Sequence, residues 1–459
     1  MEYLTRVLLQ LVNNPRFHYH SKCKKLKLIS LTFVDDLLLF SRGDKDSVDL
    51  LLAQMAYFSR STGLCVNRNK CFIYTGGVSD RDKETFRNLT KFIEGELPFR
   101  YLGVPLTSKK LAIKHCLVLI DKIIHKVTHW NSKLLTYAGR VQLIKSVVFS
   151  VVNFWMQVLR LPKVVLHHID SICRSFLSTG GKDVSSKSPI AWNFFCRPMA
   201  YGGMNIMDLE CWNKVCMLKL VWNVHKKADS LWIKWIHEYY LKHFDFLHMQ
   251  VKDSQSWMMK HLLHSRLLYQ EMHIHLTGTG GNFQSKKVYN ALKVNEEKPV
   301  WRHLMFGNYA RPRAVFILWL VCNGRLATKE RLKKFGMISD DCCAFCLEKE
   351  TTNHLFFYCA GLKEVWVKVL KWIHVNHTPL PWDSELDWII RNRKGKSWRA
   401  SLIKCAVTES IYTIWRMQND KVFGHASYSG NIEKDIIDSL VYKSWNVKKY
   451  RNYIASLMV

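Results

Sequence analysis

Three cysteines and one histidine in the C-terminal half of the chain have the spacing of metal ligands. The pattern is Cys343-x2-Cys346-x7-His354-x4-Cys359. A two-residue gap lets two thiolates share one tetrahedral zinc ion. The polar segment 348–353 then lets the chain return, so that the histidine and the last cysteine reach the same ion. The sequence therefore predicts zinc as a cofactor, held by these four side chains.

Two alternatives to this ligand set remain open. Cys342 could replace Cys343, because a three-residue gap to Cys346 is also compatible with zinc. Alternatively, the cysteines are free thiols and His354 belongs to an ordinary core turn, but four ligands at suitable spacings favour zinc. Most of the other cysteines are isolated along the chain, which is typical of reduced core cysteines. Together with an N-terminus that lacks the features of a secretory signal, this predicts an intracellular protein, nuclear and/or cytoplasmic.

A second candidate for metal chemistry is the pair of adjacent carboxylates Asp35 and Asp36, which interrupts the apolar segment 31–40. Burying two such charges is costly without a cation. At the turn of a hairpin, the pair could be presented to magnesium, which prefers carboxylate oxygens and substrate phosphates. On the dipeptide alone a solvent-exposed turn is favoured, because Asp-Asp is frequent in turns.

The charge balance indicates a polyanionic partner. The 459 residues include 68 Lys and Arg against 37 Asp and Glu, which gives a formal net charge of +31. Neutralising phosphates and releasing their counterions favours nucleic acid, so RNA and DNA are the predicted partners. No membrane partner is expected, because the most apolar stretch, 147–159, is too short to span a bilayer. The sequence does not indicate an oligomeric state.

Several cations are candidates for contacts with phosphates: one ends the segment 62–70, three belong to the outer face of a predicted helical region, and three lie in a short basic run. They are Lys70, Lys133, Arg140, Lys145, Arg391, Arg393 and Lys394. For the run 391–396, a solvated surface turn is the alternative and the commoner case.

Hydrophobic periodicity predicts the elements that position these residues. Segment 1–13 has helical spacing, and segment 29–40 is rich in strand formers and fits a hairpin. An amphipathic helix is predicted over 47–60, starting at Asp46 or Ser47.

Further along, residues 112–159 are helical in pattern almost throughout. The apolar face is predicted from Leu117, Ile120, Ile123, Ile124 and Val127. The glycine-rich run 277–282 lacks the Lys-Ser or Lys-Thr of a phosphate-binding loop, so it is interpreted as a linker or hairpin turn at a domain boundary.

The string Phe33-Val34-Asp35-Asp36 resembles the aromatic-x-Asp-Asp motif in the palm of reverse transcriptases, and further landmarks follow in the family's order. They are Thr62-Gly63-Leu64-Cys65-Val66-Asn67-Arg68-Asn69-Lys70, Tyr101-Leu102-Gly103-Val104-Pro105-Leu106, Trp130, Leu134, Ala138-Gly139-Arg140, Leu143-Ile144-Lys145-Ser146 and Tyr201-Gly202-Gly203-Met204. The thumb pattern among them is similar to that of plant LINE-type (non-LTR) retrotransposon polymerases. This resemblance covers nearly the whole chain.

The resemblance implies that Asp35 and Asp36 are only part of a magnesium site. In the family, an earlier palm strand supplies another metal-binding aspartate, and the fingers hold template and nucleotide; this sequence begins after both. Two-metal phosphoryl transfer needs carboxylates from both strands, around ions about 3.5–4 Å apart. We therefore expect a chain that does not polymerise alone, and magnesium only if the palm is completed.

The segment from Cys343 to Cys359 resembles the zinc-binding domain that follows these polymerases, with its Cys-x-x-Cys, acidic spacer and His-Leu-Phe-x-x-Cys. Preceding residues agree with the same domain: Phe283-Gln284-Ser285-Lys286-Lys287-Val288-Tyr289, Trp301, Arg311-Pro312-Arg313, Phe316, Trp319 and Arg325-Leu326-Ala327-Thr328. Because His-x4-Cys also closes zinc knuckles that bind single strands, a role in gripping template RNA or target DNA is a hypothesis. A purely structural zinc is the alternative. One departure is Gln418, where the family more usually has arginine.

The predicted fold class is α+β, mainly α. It comprises a partial palm with a short antiparallel sheet (1–110), a helical thumb (111–180), a helical connection (181–276), a zinc-binding domain (283–380) and a helical basic tail (381–459). The expected function is that of a retrotransposon-derived fragment of an RNA-directed DNA polymerase that binds zinc and nucleic acid. One alternative is an active reverse transcriptase once the missing palm and fingers are supplied by a partner chain or a corrected start. Another is a host protein repurposed for nucleic-acid binding.

Overall fold

The computed structural model describes most of the chain. Its description covers residues 2–459 except 108, 130–134, 180–189, 243, 279–280, 294–296, 306, 393–396, 425–430, 446–450, 452–454 and 456–459. The chain divides into two compact units. The first unit comprises Met1–Cys116, Trp155–Pro162 and Asn213–Leu292, and the second comprises Leu117–Phe154, Lys163–Trp212 and Lys293–Val459.

Helices dominate the described residues, as the sequence predicts for an α+β fold that is mainly α. In the N-terminal part of the chain they are α1 (Glu2–Leu9), α2 (Lys45–Thr62), α3 (Asp80–Thr90), α4 (Ile113–His129), α5 (Tyr137–Leu143), α6 (Phe149–Val158), α7 (Lys163–Thr179), α8 (Trp192–Phe195) and α9 (Leu209–His225). Those that follow are α10 (Leu231–Ile236), α11 (Trp257–His264), α12 (Arg266–Glu271), α13 (His273–Leu276), α14 (Ser285–Leu292), α15 (Arg302–Met305) and α16 (Pro312–Cys322). The last are α17 (Lys329–Lys334), α18 (Lys363–Trp372), α19 (Trp382–Asn392), α20 (Trp398–Val422) and α21 (Ile432–Trp445).

Short helical turns of other types supplement these helices. The 3-10 turns are Gln10–Asn13, Lys24–Leu26, Arg68–Lys70 and Met199–Tyr201, and the π turns are Ile144–Val148, His237–Leu241 and His354–Tyr358.

The strands of the described residues form three two-stranded sheets. They are β1 (Ser30–Phe33) with β2 (Asp36–Leu39), β3 (Phe72–Ile73) with β4 (Ile93–Glu94), and β5 (Phe99–Tyr101) with β6 (Val104–Leu106). The first and last pairs are antiparallel, and the middle pair is parallel. All strands therefore belong to the first unit.

The N-terminal part of the first unit has its own apolar core. Helix α1 packs against α2, and the hairpin residues Leu37 and Leu39 pack against the same cluster. Its buried members are Leu4, Leu8, Leu11, Phe17, Ile29, Leu51 and Phe58. This core fixes the base of the β1–β2 hairpin, whose tip carries the paired aspartates.

Helix α2 begins earlier than the sequence predicts. Its N-cap is Asp44, whose side chain accepts a hydrogen bond from the backbone N–H of Ser47 at 2.9 Å. The prediction of a start at Asp46 or Ser47 was wrong, because Ser47 is buried and its hydroxyl accepts from the backbone N–H of His18 at 2.9 Å. The serine is a tertiary contact, and capping is supplied three residues before it.

Helix α4 and the glycine-rich run agree in large part with the local predictions. Leu117, which was assigned to the apolar face of α4, is exposed, while Cys116 and Leu119 are buried. Ile120, Ile123 and Val127 are buried as predicted, so most of the predicted apolar face is confirmed and Leu117 lies outside it. At the glycine-rich run, Thr277 pairs antiparallel with Phe283, and Gly278 donates to the carbonyl of Asn282, so the described residues form the predicted hairpin turn.

The second unit is organised around α20. This 25-residue helix packs against α16, α18, α19 and α21, and most of its residues are buried. This helix lies within the predicted tail, and the π turn of the metal-ligand segment and α18 pack against it.

One continuous helical stretch, Tyr137–Val158, is long and apolar enough to cross a membrane by length and composition. It is longer than the apolar segment recognised in the sequence, because α5, the π turn and α6 run on without a break. About two fifths of its apolar window, 39%, is buried inside the structure. The core helix of a soluble protein meets the same criterion, so this stretch carries no argument for a membrane partner.

Candidate metal centre

The four predicted zinc ligands converge in the second unit. The donor atoms of Cys343, Cys346, His354 and Cys359 all lie within 4.8 Å of one another. The Sγ atoms of Cys343 and Cys359 are 3.8 Å apart, and those of Cys346 and Cys359 are 3.7 Å apart. The Cys346 Sγ lies 3.0 Å from the His354 Nε2. The structure therefore brings together side chains up to 16 positions apart in sequence.

A tight turn presents the first two cysteines. The backbone N–H of Cys343 donates to the carbonyl of Glu348 at 2.6 Å, and the N–H of Leu347 donates to the carbonyl of Cys343 at 3.1 Å. Leu347 lies at φ 68°, the left-handed region that a turn of this kind requires. The N–H of Phe345 points at the Cys343 sulfur at 3.4 Å, a contact that stabilises a thiolate.

The π turn His354–Tyr358 presents the other two donors. Its widened winding places His354 at the start and Cys359 directly after the end, and the N–H of Cys359 donates to the carbonyl of His354 at 2.7 Å. The π turn packs against α18 and α20. The segment between Cys346 and His354 therefore brings the chain back to the turn that holds the first two cysteines, as the spacing predicts.

The donor set fits zinc. In a tetrahedral site with Zn–S distances of about 2.3 Å, neighbouring sulfurs are about 3.8 Å apart, close to the two sulfur–sulfur distances found here. Cys343, His354 and Cys359 are buried. Burial raises the pKa of the Cys359 thiol to about 12 and also raises that of Cys343. A bound cation would offset this cost, because it favours the thiolate form.

The sequence did not single out the partners that orient the histidine. The His354 Nδ1 lies 3.2 Å from the Glu348 Oε2, which leaves Nε2 facing the cysteines. The backbone N–H of His354 donates to the Thr351 hydroxyl at 3.0 Å. Metal-binding histidines usually give their other ring nitrogen to a carboxylate or carbonyl in this way. The acidic spacer was the available signal, but it did not identify which acidic residue contacts the ring.

Cys342 lies outside the cluster of donors. It pairs with Lys349 across the turn, and its N–H donates to the Asp340 carboxylate at 3.0 Å. The geometry therefore favours Cys343 over Cys342 as the ligand.

The paired aspartates lie at the tip of the β1–β2 hairpin. Phe33 pairs with Asp36, so Val34 and Asp35 form the two-residue turn, and both carboxylates are exposed. Val34 adopts φ 53°, which is rare for a β-branched residue. Among the described residues, no group of three or more potential metal donors includes these aspartates.

The structure places the predicted phosphate-contacting residues in different surroundings. Lys70 is exposed, and so is Arg391 at the end of α19. Arg140 donates to the carbonyl of Leu177 at 3.1 Å, and Lys145 donates to the carbonyl of Met204 at 2.7 Å. Lys133, Arg393 and Lys394 lie outside the described residues.

Burial lowers the pKa of both Arg140 and Lys145. Each side chain already donates a hydrogen bond to a backbone carbonyl, which leaves fewer N–H groups for a phosphate. Their contact with nucleic acid stays a prediction.

Comparison with known proteins agrees with the metal centre. Residues 283–366 match the family described as zinc-binding in reverse transcriptase. A putative ribonuclease H protein from Arabidopsis thaliana is 25% identical over 114 residues, which is 25% of this chain and 18% of that protein. The chain thus covers under a fifth of this relative's length. All four converging donors lie within the matched family segment.

Proposed function

We propose that this chain is a zinc-stabilised, nucleic-acid-binding part of a reverse transcriptase from a plant LINE-type (non-LTR) retrotransposon. The observation that carries the proposal is the convergence of Cys343, Cys346, His354 and Cys359 inside a segment that matches a reverse transcriptase zinc-binding family. When bound, zinc would act as a structural ion, because all four positions around it are taken by protein donors.

The zinc-binding segment has a structural task in the second unit. Its turn and its π turn are joined to α20 through Glu350, a buried carboxylate that accepts from the Gln418 amide. The same carboxylate accepts from the N–H of Lys329 at the start of α17 at 2.9 Å. Loss of the ion would therefore loosen the segment that positions α17 and its basic side chains.

Nucleic acid is the partner that the charge favours. The net charge of +31 predicts binding through phosphates, with release of counterions. RNA and DNA are both proposed, and the location is proposed to be nuclear and/or cytoplasmic, where such partners occur. The ribonuclease H name of the Arabidopsis relative is consistent with a nucleic-acid partner.

A second candidate function rests on the hairpin tip. The exposed Asp35 and Asp36, beside a valine in a strained conformation, are suited to hold magnesium once other carboxylates are supplied. This would make the chain part of an active polymerase. Primer extension with a polypeptide carrying the remaining palm and fingers tests it: activity that is lost in Asp36→Asn supports this role, and activity unchanged in that variant contradicts it.

The experiment for the main proposal is a binding titration of the purified, zinc-loaded chain with RNA and DNA across a salt series. We expect log K to fall linearly with log salt, with a slope set by the number of phosphates neutralised. Chain that carries zinc but binds neither polymer at low salt would contradict the nucleic-acid part of the proposal.

A further inference from the structure

An arginine and a phenylalanine form an exposed pair at the end of α17. The Arg331 guanidinium carbon lies 5.2 Å from the centre of the Phe335 ring, one helical turn away. The Phe335 ring is 64% exposed, so it is open to a ligand from solvent. The planar cation and the ring therefore offer a flat surface to solvent.

A second arginine lies beside this pair. Arg331 also donates a hydrogen bond to the carbonyl of Gly324, the residue that precedes Arg325. The Arg325 side chain is exposed, and its backbone N–H closes the end of α16 by donating to the carbonyl of Leu320 at 2.8 Å. Burial lowers the pKa of Arg331, and the positive charge of Arg325, which follows Gly324 in the chain, lowers it further.

The lysines of α17 contribute less to this surface. Lys329 faces Asp340 at 3.3 Å, Lys333 faces Asp341 at 2.7 Å, and Lys334 faces Glu330 at 3.3 Å. Each lysine thus has a nearby carboxylate that partly neutralises its positive charge. The two arginines are the cations that distinguish this face, and an anion beside them would relieve their repulsion.

We propose that Arg325, Arg331 and Phe335 bind single-stranded nucleic acid. An unpaired base stacks on the Phe335 ring, and a neighbouring phosphate accepts hydrogen bonds from the two guanidiniums. A duplex is disfavoured as the ligand, because its bases are already stacked and cannot reach an aromatic side chain. This inference rests on the proposed nucleic-acid function and names the surface and the strand class.

The test measures fluorescence anisotropy of labelled oligo(U) RNA, oligo(dT) DNA and a DNA duplex of equal length, each titrated with the full zinc-loaded chain. Phe335→Ala should weaken single-strand binding about tenfold, with the salt slope unchanged, because stacking is not ionic. Arg325→Gln should reduce the salt slope by about 0.7, the value for one phosphate on a single strand. Phe335→Trp should retain binding.

Phe423→Ala is the matched control, since this phenylalanine is 65% exposed elsewhere in the second unit. Zinc content confirms that each variant is folded. If wild type binds single strands and Phe335→Ala binds as tightly, this surface is wrong while the proposed function stands. Equal losses on single strand and duplex would overturn the single-strand assignment, and a zinc-loaded wild type that binds nothing would overturn both proposals.

Discussion

The Nδ1 atom of His354 lies 3.2 Å from the Oε2 atom of Glu348, in a turn where the backbone carbonyl of Glu348 also accepts from Cys343. One residue thus connects the first cysteine and the histidine of the metal centre. The side chain orients the imidazole, and the backbone closes the turn. A substitution of Glu348 removes the side-chain contact and leaves the backbone hydrogen bond, so the two roles can be separated.

Glu348→Gln should weaken zinc affinity by about 10- to 100-fold, the usual cost of losing a carboxylate behind a histidine ligand. Competition with a chromophoric chelator measures it. The matched control is Glu364→Gln, which changes an equally exposed glutamate on α18. Equal zinc affinity of wild type and Glu348→Gln would show that the carboxylate does not orient the ring.

Gln418→Met should destabilise the second unit by ~2 kcal/mol, because the fully buried Glu350 carboxylate would lose the amide donor that lies 3.1 Å from both of its oxygens. Chemical denaturation of the zinc-loaded chain measures the free energy of unfolding. The control is Gln142→Met, at an exposed helical position. A loss no larger than in the control would mean that the donor does not stabilise Glu350.

Asp170→Asn should change the pH dependence of stability. Burial is the main cause that raises the pKa of Asp170 from 3.8 to about 7. Between these values the folded state binds more protons than the unfolded state, so this aspartate lowers stability as pH rises from about 4 to 7. An asparagine side chain at this position cannot ionise, so the stability of the variant relative to wild type should rise by about 3 kcal/mol between pH 5 and pH 8.

Denaturation of wild type and Asp170→Asn across pH 5–8 measures this difference, and comparing the two cancels any effect of pH on the zinc site. The control is Asp121→Asn, which alters an exposed carboxylate on α4. A stability difference for Asp170→Asn that stays constant over the range would contradict the raised pKa.

Gly203→Ala should destabilise the second unit by about 3 kcal/mol or abolish folding, because a Cβ there would overlap the carbonyl of Arg197. The adjacent Gly202 accepts a hydrogen bond from the Trp319 indole at 2.6 Å, so the glycine pair lies against the core. Thermal unfolding measures the effect. Gly76→Ala is the control, since nothing lies near its Cβ position. Equal melting temperatures for the two variants would refute the steric argument.

The sequence predicted the parts of the site that depend on local spacing. The four donors lie within a short segment, so their convergence requires only a turn and a return of the chain. The spacing of the cysteines and the histidine predicts both. The hairpin that carries Asp35 and Asp36 was likewise predicted, since segment 29–40 is rich in strand formers and the paired aspartates indicated a turn.

Features that depend on distant residues were not predicted. Arg140 and Lys145 were assigned to a basic outer face, but their acceptors are carbonyls 37 and 59 positions away, which no local pattern reveals. The same holds for the buried Gln418, whose partner Glu350 lies 68 positions earlier. Its departure from the family pattern was visible in the sequence, while its role as a hydrogen-bond donor required the structure.

The most direct test of the central claim is the zinc content of the purified chain by native mass spectrometry, in wild type, Cys346→Ser and Cys342→Ser. The two variants make the same chemical change inside and outside the cluster of donors. We expect one zinc per chain in wild type and Cys342→Ser, and its loss in Cys346→Ser. A wild type free of zinc, or equal zinc content in both variants, would contradict the metal centre.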